Sequence, residues 1–176
     1  MALKKIAITG AMGVGKTTLA TQLTGISSGI RLMREVARVM AEQGVDLDKK
    51  TTIETELQIL KYQEDGEAFT PRPFVTDRCL IDLLAYTIVL FPNHTNVHDK
   101  IREALNEADY DIIFYIPPEF PIEDDGIRST DAKFRDEIDR TIKKILRKKP
   151  YHEITGSPKL RLEKALYMIE WYNKKQ

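Results

Sequence analysis

Gly10-Ala-Met-Gly-Val-Gly-Lys16-Thr17 is the stretch on which the fold turns. It matches G-x-x-x-x-G-K-[ST], and its surroundings supply the context that motif needs. Residues 3–9 (LKKIAIT) are short, apolar and β-rich, so they read as a buried strand, and 16–23 read as a helix. The chemistry requires these residue types. Glycines let the backbone curl until several N–H groups point inward at one phosphate. The helix start adds its positive end. Lys16 reaches the β- and γ-phosphates, and the Thr17 hydroxyl binds Mg²⁺. The spacing therefore assigns Gly10, Ala11, Met12, Gly13, Val14, Gly15, Lys16, Thr17 and Thr18 to a nucleoside triphosphate, ATP or GTP, with Mg²⁺.

Working outward, strands alternate with helices. Residues 30–33, 74–76, 111–116 and 151–154 read as further strands. Residues 34–42, 51–67, 80–90, 97–108, 129–148 and 157–172 read as helices. The helix over 51–67 should turn Ile53, Leu57 and Leu60 inward. Ser129 or Thr130 should cap the long helix, with Asp131 in its first turn, and Ser157 with Pro158 should start the last. This alternation predicts an α/β fold, a mainly parallel sheet with helices on both faces. Ligands on such a sheet sit at the carboxyl ends of its strands. Three motifs fall there: the glycine loop, Asp77-Arg78, and the loop after Ile116.

Length and composition agree with that reading. The 176 residues suit one domain, with a lid over about 117–135. Hydrophobic residues make up 42% and charged residues 31%, and 27 Lys+Arg balance 27 Asp+Glu. Zero net charge argues against a surface that tracks nucleic acid or anionic membrane throughout. One cysteine, Cys79, excludes an internal disulfide framework and a Cys-based zinc site. No apolar run approaches the ~20 residues of a membrane span, and no secretory signal is visible, so a cytoplasmic protein without membrane contact is expected.

A glycine loop of this kind serves GTPases, motor ATPases and small-molecule kinases alike. GTPases need a base-reading N-K-x-D, which this chain lacks, and motor ATPases usually carry a second helical domain. A compact chain with an arginine-bearing lid fits a kinase. Asp77 at a strand end can orient Mg²⁺ through water or accept a substrate hydroxyl proton; its plain alternative is a helix N-cap. Glu35, between Arg34 and Arg38, reads as an acceptor-binding carboxylate or as a solvated helix start. Arg128, on the loop that carries Asp124 and Asp125, can supply a cation to the transferring phosphoryl group; the alternative is a solvated acidic turn. Lys143, Lys144, Arg147, Lys148 and Lys149 end a helix, where cations face water and favour the dipole. His94, His98 and His152 read as surface or loop histidines, and Trp171 as core or helix packing.

These motifs, in this order, resemble the nicotinamide riboside kinase (ribosylnicotinamide kinase) domain and the P-loop ATPase/kinase group around it, small AAA-type proteins included. The carriers are residues 10–17, Arg34-Glu35, Gln63, residues 74–77, and Asp124-Asp-Gly-Ile-Arg128-Ser129, the most diagnostic string. The resemblance implies a three-layer α/β/α P-loop fold with strand order 2-3-1-4-5. It implies that Lys16 and Thr17 hold the triphosphate and Mg²⁺, that Asp77 and Glu35 face the acceptor, and that Arg128 belongs to the lid. The riboside kinases have Asp-Thr where this chain has Asp77-Arg78. Asp-Arg looks more like thymidylate and deoxynucleoside kinases, where the arginine supports phosphate groups. Acceptor contacts are therefore expected from Arg34, Glu35, Arg38, Gln63, Arg78, Asp124 and Asp125. The implied activity is ATP/Mg²⁺-dependent transfer to a hydroxyl of a nucleoside, nucleotide or nucleobase. Similar bacteriophage kinases suggest one alternative acceptor, hydroxymethyluracil within DNA, which the basic run would hold by its backbone. A regulatory NTPase is the alternative from another class.

Overall fold

Each strand pairs in parallel with its neighbours, which obliges the chain to cross the sheet through a helix between strands. The computed structural model describes residues 3–27, 29–47, 50–121 and 131–175. The elements are β1 Lys5–Thr9, α1 Lys16–Ile26, β2 Arg31–Met33, α2 Val36–Glu42, α3 Ile53–Phe69, β3 Phe74–Asp77, α4 Leu80–Leu90, α5 Thr95–Glu107, β4 Ile112–Tyr115, α6 Ala132–Leu146, β5 His152–Glu153 and α7 Pro158–Lys174. The five strands lie in the order β2-β3-β1-β4-β5, as the resemblance implied.

The central strands carry the core. β3 and β4 are buried at every position, and β1 at all but Lys5. Continuous burial explains why these strands lack a polar alternation. Register sets the site: Ile8 lies opposite Asp77 on one side and Phe114 on the other, so β1 delivers the glycine loop level with the end of β3. Helices flank the sheet; α1 packs with α7, and α4 packs with α3, α5 and α6. No described helix is long and apolar enough to cross a membrane.

Four local expectations are corrected. α6 is capped by Asp131 itself, whose Oδ1 accepts the Lys133 and Phe134 amides at 2.9 and 3.2 Å; the expected caps Ser129 and Thr130 lie outside the described residues. The inward face of α3 carries Glu56, Ile59, Leu60, Gln63 and Glu67, while Ile53 and Leu57 are half-buried. Its carboxylates tolerate burial because they are bonded: Tyr110 Oη and Gln63 Nε2 donate to Glu67 at 2.6 and 2.8 Å. His98 is buried, with Nε2 3.3 Å from the Thr87 carbonyl. Trp171 is 41% exposed, and the Lys175 ammonium covers its ring at 4.1 Å.

Asp131→Ala removes the acceptor for two helix-start amides. The expected cost is about 1 kcal/mol, read as a fall of ~2–4 °C in melting temperature. An unchanged melting temperature would show that the start of α6 is held by other contacts.

Candidate active site

The glycine loop closes tightly against the neighbouring strand end. Gly10 has φ +151°, and a Cβ there would run into the Ile116 carbonyl oxygen. Gly15 enters α1 at φ +92°, in the left-handed region that favours glycine. Ala11 and Met12 are fully buried. The Lys16 ammonium folds back over its own loop, donating to the Gly10 and Ala11 carbonyls at 2.7 and 2.6 Å. Burial pushes its pKa down to about 8, and the nearby Arg78 pushes the same way against three carboxylates.

Asp77 ends β3 beside that loop. The Thr17 hydroxyl donates to its Oδ2 at 2.6 Å, which leaves the Thr17 oxygen lone pairs for a cation. The other oxygen, Oδ1, is buried and has no hydrogen-bond partner among the described residues. An orphaned acceptor next to a metal-capable hydroxyl fits a Mg²⁺ ion with its water shell. Burial raises the Asp77 carboxyl above its ordinary value, and the Thr17 hydrogen bond opposes the rise. Asp77 does not cap α4. Cys79 takes that place, and the Asp82 carboxylate reaches back to the Cys79 amide at 3.0 Å.

Arg78 follows in a left-handed conformation, φ +71°, unusual for a side chain of that size. Such strain costs on the order of 1–3 kcal/mol and persists only where surroundings enforce it. Here the Thr76 hydroxyl donates to the Arg78 carbonyl, and the guanidinium is enclosed. Its Nε lies 2.8 Å from Glu35 Oε1 without the alignment of a hydrogen bond, so the contact is a charge pairing. Its Nη1 is 3.9 Å from Asp82, and its Cζ stands 5.1 Å from the Tyr86 ring centre. Asp82 also accepts the Gly10 amide at 3.2 Å, which joins the loop to α4. Glu35, Glu56, Gln63, Arg78, Asp82 and Tyr86 line one pocket of about 450 Å³, counted with the solvent at its mouth, between α2, α3 and α4.

Of the other expected acceptor residues, Gln63 lines the pocket but donates its amide to Glu67 and Thr76. Arg38 stands at the side of Glu35, 3.6 Å away. Arg34 does not join them; it turns outward to Glu42 at 2.8 Å. Arg128, Asp124 and Asp125 lie outside the described residues. The basic run ends α6 roughly 20 Å along the helix from Asp131. The start of α6 is the end near the pocket, since Phe134 packs edge-on against Tyr86.

Sequence reasoning missed three contributors. Asp82 had a signal, as the one charge inside LIDLLAYTIVL. Tyr86, in the same run, had none. Neither had Arg161: from α7 it donates to the Val14 carbonyl at 2.5 Å and to Glu119 at 2.8 Å. Arg161 thus braces the loop beside a second pocket, which Gly13, Gly15, Thr18, Gln22 and Phe120 also line.

A family model described as an AAA domain matches residues 5–161. The chain belongs to the AAA domain family. No curated protein matches this AAA domain. Among solved structures it is similar to NadR in complex with NR, with TM-score 0.84 and 20% identity over 98% of this chain and 52% of that one. The AAA domain thus spans about half the length of the NadR chain. It is also similar to deoxyadenosine kinase from M. mycoides, TM-score 0.69 and 16% identity over 95% and 98% of the two chains. Thymidylate kinase from Ehrlichia chaffeensis gives 0.68 and 17% over 97% and 100%. At these identities the likeness is one of fold, the P-loop kinase fold.

Lys16 carries a testable consequence. Its ammonium must be charged to meet a phosphate, and its pKa in the free protein is about 8. The affinity for a Mg·nucleoside triphosphate should therefore fall as pH rises through that value, by ~10-fold per unit once deprotonation dominates. Titration of a fluorescent ATP analogue from pH 7 to 10 reads this. A flat profile would show that Lys16 does not meet the phosphates as a titrating cation.

Proposed function

We propose that this AAA domain transfers the γ-phosphoryl group of ATP to a hydroxyl of a nucleoside-type acceptor: a nucleoside, nucleotide or nucleobase. The observation that carries this reading is the Thr17–Asp77 hydrogen bond at 2.6 Å, which sets a metal-capable hydroxyl beside an orphaned carboxylate oxygen at the glycine loop. A switch NTPase needs the nucleotide side alone. Here a walled pocket is lined by Arg78 and Cys79, the two residues that follow Asp77 in the chain. The similar folds include chains described as deoxyadenosine kinase and thymidylate kinase, which supports the reading.

In this reading the triphosphate lies in the loop, and Lys16 leaves its own carbonyls for the phosphate oxygens. Thr17 and, through water, Asp77 would hold Mg²⁺. Bound there, the ion neutralises charge on the phosphates. The acceptor hydroxyl oxygen forms the new bond to the γ-phosphorus, and the bond to the β-bridging oxygen breaks. The hydroxyl proton passes to Asp77 Oδ1, whose pKa is raised by burial, which makes it a stronger proton acceptor than an ordinary carboxylate. Arg128, on the sequence reading, supplies a further cation to the transferring group.

Transfer from radiolabelled ATP to pools of nucleosides, nucleotides and hydroxymethyluracil-containing DNA tests this. Label in one acceptor pool supports it, and free phosphate in every pool would favour the NTPase. Lys16→Ala should abolish transfer. Asp77→Asn should lower kcat by ~10²-fold or more, the usual loss for a positioned acid–base group, with little change in ATP affinity. Collapse of ATP binding instead would make Asp77 a metal-holding group alone. In the native protein kcat should fall as pH drops through the raised Asp77 pKa, because the base becomes protonated.

A further inference from the structure

The basic run at the end of α6 is not one solvated face. Lys143 turns to Asp139 at 3.0 Å and stands over the Tyr115 ring at 5.7 Å. Lys144, Lys148 and Lys149 line a groove between α5 and α6 instead, and Arg102 meets them from α5. The groove measures about 990 Å³, counted with the solvent at its mouth. It shares no lining residue with the pocket beside the glycine loop or with the pocket between α2, α3 and α4. Its floor is aliphatic: Leu84 and Ile88 from α4, Leu105 from α5 and Ile145 from α6. That floor exists because α4 packs against both α5 and α6 and so underlies the gap between them.

The charge around this floor has one sign. Among the described residues, neither a carboxylate nor an aromatic ring lines the groove. Arg102 has a partner outside it, Asp99 at 2.6 Å, and the Lys149 ammonium donates to the Leu105 carbonyl at 3.3 Å. Lys144, in the last turn of α6, and Lys148, just beyond it, form no ion pair among the described residues. Like charges four positions apart repel, and an anion between them removes that cost.

We infer that this groove binds a monomeric amphiphilic anion, an aliphatic chain that ends in a phosphate or carboxylate. The chain covers the Leu84, Ile88, Leu105 and Ile145 side chains, and the head meets Lys144 and Lys148, whose methylene stems extend the apolar wall. A nucleotide or single strand fits less well, since bases are held by stacking on aromatic rings. Duplex DNA brings phosphates but nothing for an aliphatic floor. A membrane surface takes up apolar groups that stand out from a protein, whereas Leu84 and Leu105 are 2% and 3% exposed.

Calorimetric titration with decyl phosphate, below its micelle concentration, tests this. The glycine loop is first filled with Mg²⁺ and a non-hydrolysable ATP analogue, so that the probe's phosphate has no place there. Decyl phosphate should bind about tenfold or more tightly than inorganic phosphate, which lacks the chain, and than decanol, which lacks the charge. From butyl to decyl phosphate, each added methylene should tighten binding about threefold. Lys144→Gln/Lys148→Gln should weaken it about tenfold. Both side chains are exposed, so this variant should melt with the native protein. Equal affinity in the native protein and the double variant, or no gain with chain length, would overturn the proposal. So would absence of decyl phosphate binding; capture of the protein by phosphatidylglycerol vesicles or by duplex DNA would then make the face a membrane or nucleic-acid surface.

Discussion

Charge held out of water at the carboxyl end of the sheet is the constraint on which the rest depends. Lys16, Glu35, Asp77, Arg78 and Asp82 are all buried within one neighbourhood. A lone buried ion costs several kcal/mol, so none of them is tolerable without the others. The cluster persists because each charge faces an opposite one, and because backbone groups fill the remaining valences. Asp82 shows the principle best. One carboxylate meets the Gly10 amide, the Cys79 amide and the edge of Arg78, and so joins the glycine loop, the start of α4 and the pocket between α2, α3 and α4. The left-handed Arg78 belongs to the same account: the turn costs energy locally and is held by the pairing it makes possible.

That cluster also divides the site. On one side Lys16 rests on its own loop carbonyls, a stand-in arrangement that phosphate oxygens can replace without leaving the ammonium unpaired. On the other side Glu35 and Asp82 pair with Arg78 in the pocket wall. Thr17 and Asp77 stand at the border, bonded to each other and with an oxygen to spare. Arg161 reaches the loop from the last helix and fixes its outer shoulder through the Val14 carbonyl. The glycine loop is thus held by α4 from within and α7 from without.

Local chemistry made much of this legible in sequence. Glycines at fixed spacing before a lysine and threonine have few uses, since that backbone curl is costly unless a phosphate sits in it. Buried parallel strands announce themselves as apolar runs, and the turns between them by glycine and proline, so the element order agreed with the structure closely. Helix boundaries were less secure, as at α6, where Ser129, Thr130 and Asp131 all make acceptable caps and only the chain's path chooses Asp131. The α3 face was misjudged for a related reason. Glu56 and Glu67 look like solvent residues until Thr87 and Tyr110 arrive from elsewhere to bond them.

The sequence by itself determined the strand–loop–helix around the glycine loop, the α/β alternation, and the placement of Asp77 at a strand end, because each rests on contacts within a few residues. Tertiary structure alone decided what the charged residues do to one another. Glu35 and Arg78 are 43 positions apart and meet because β2 and β3 pair in parallel. Val14 and Arg161 are 147 apart and meet because α7 packs against α1. Coulomb energy depends on distance and burial, and neither is written in the order of the residues.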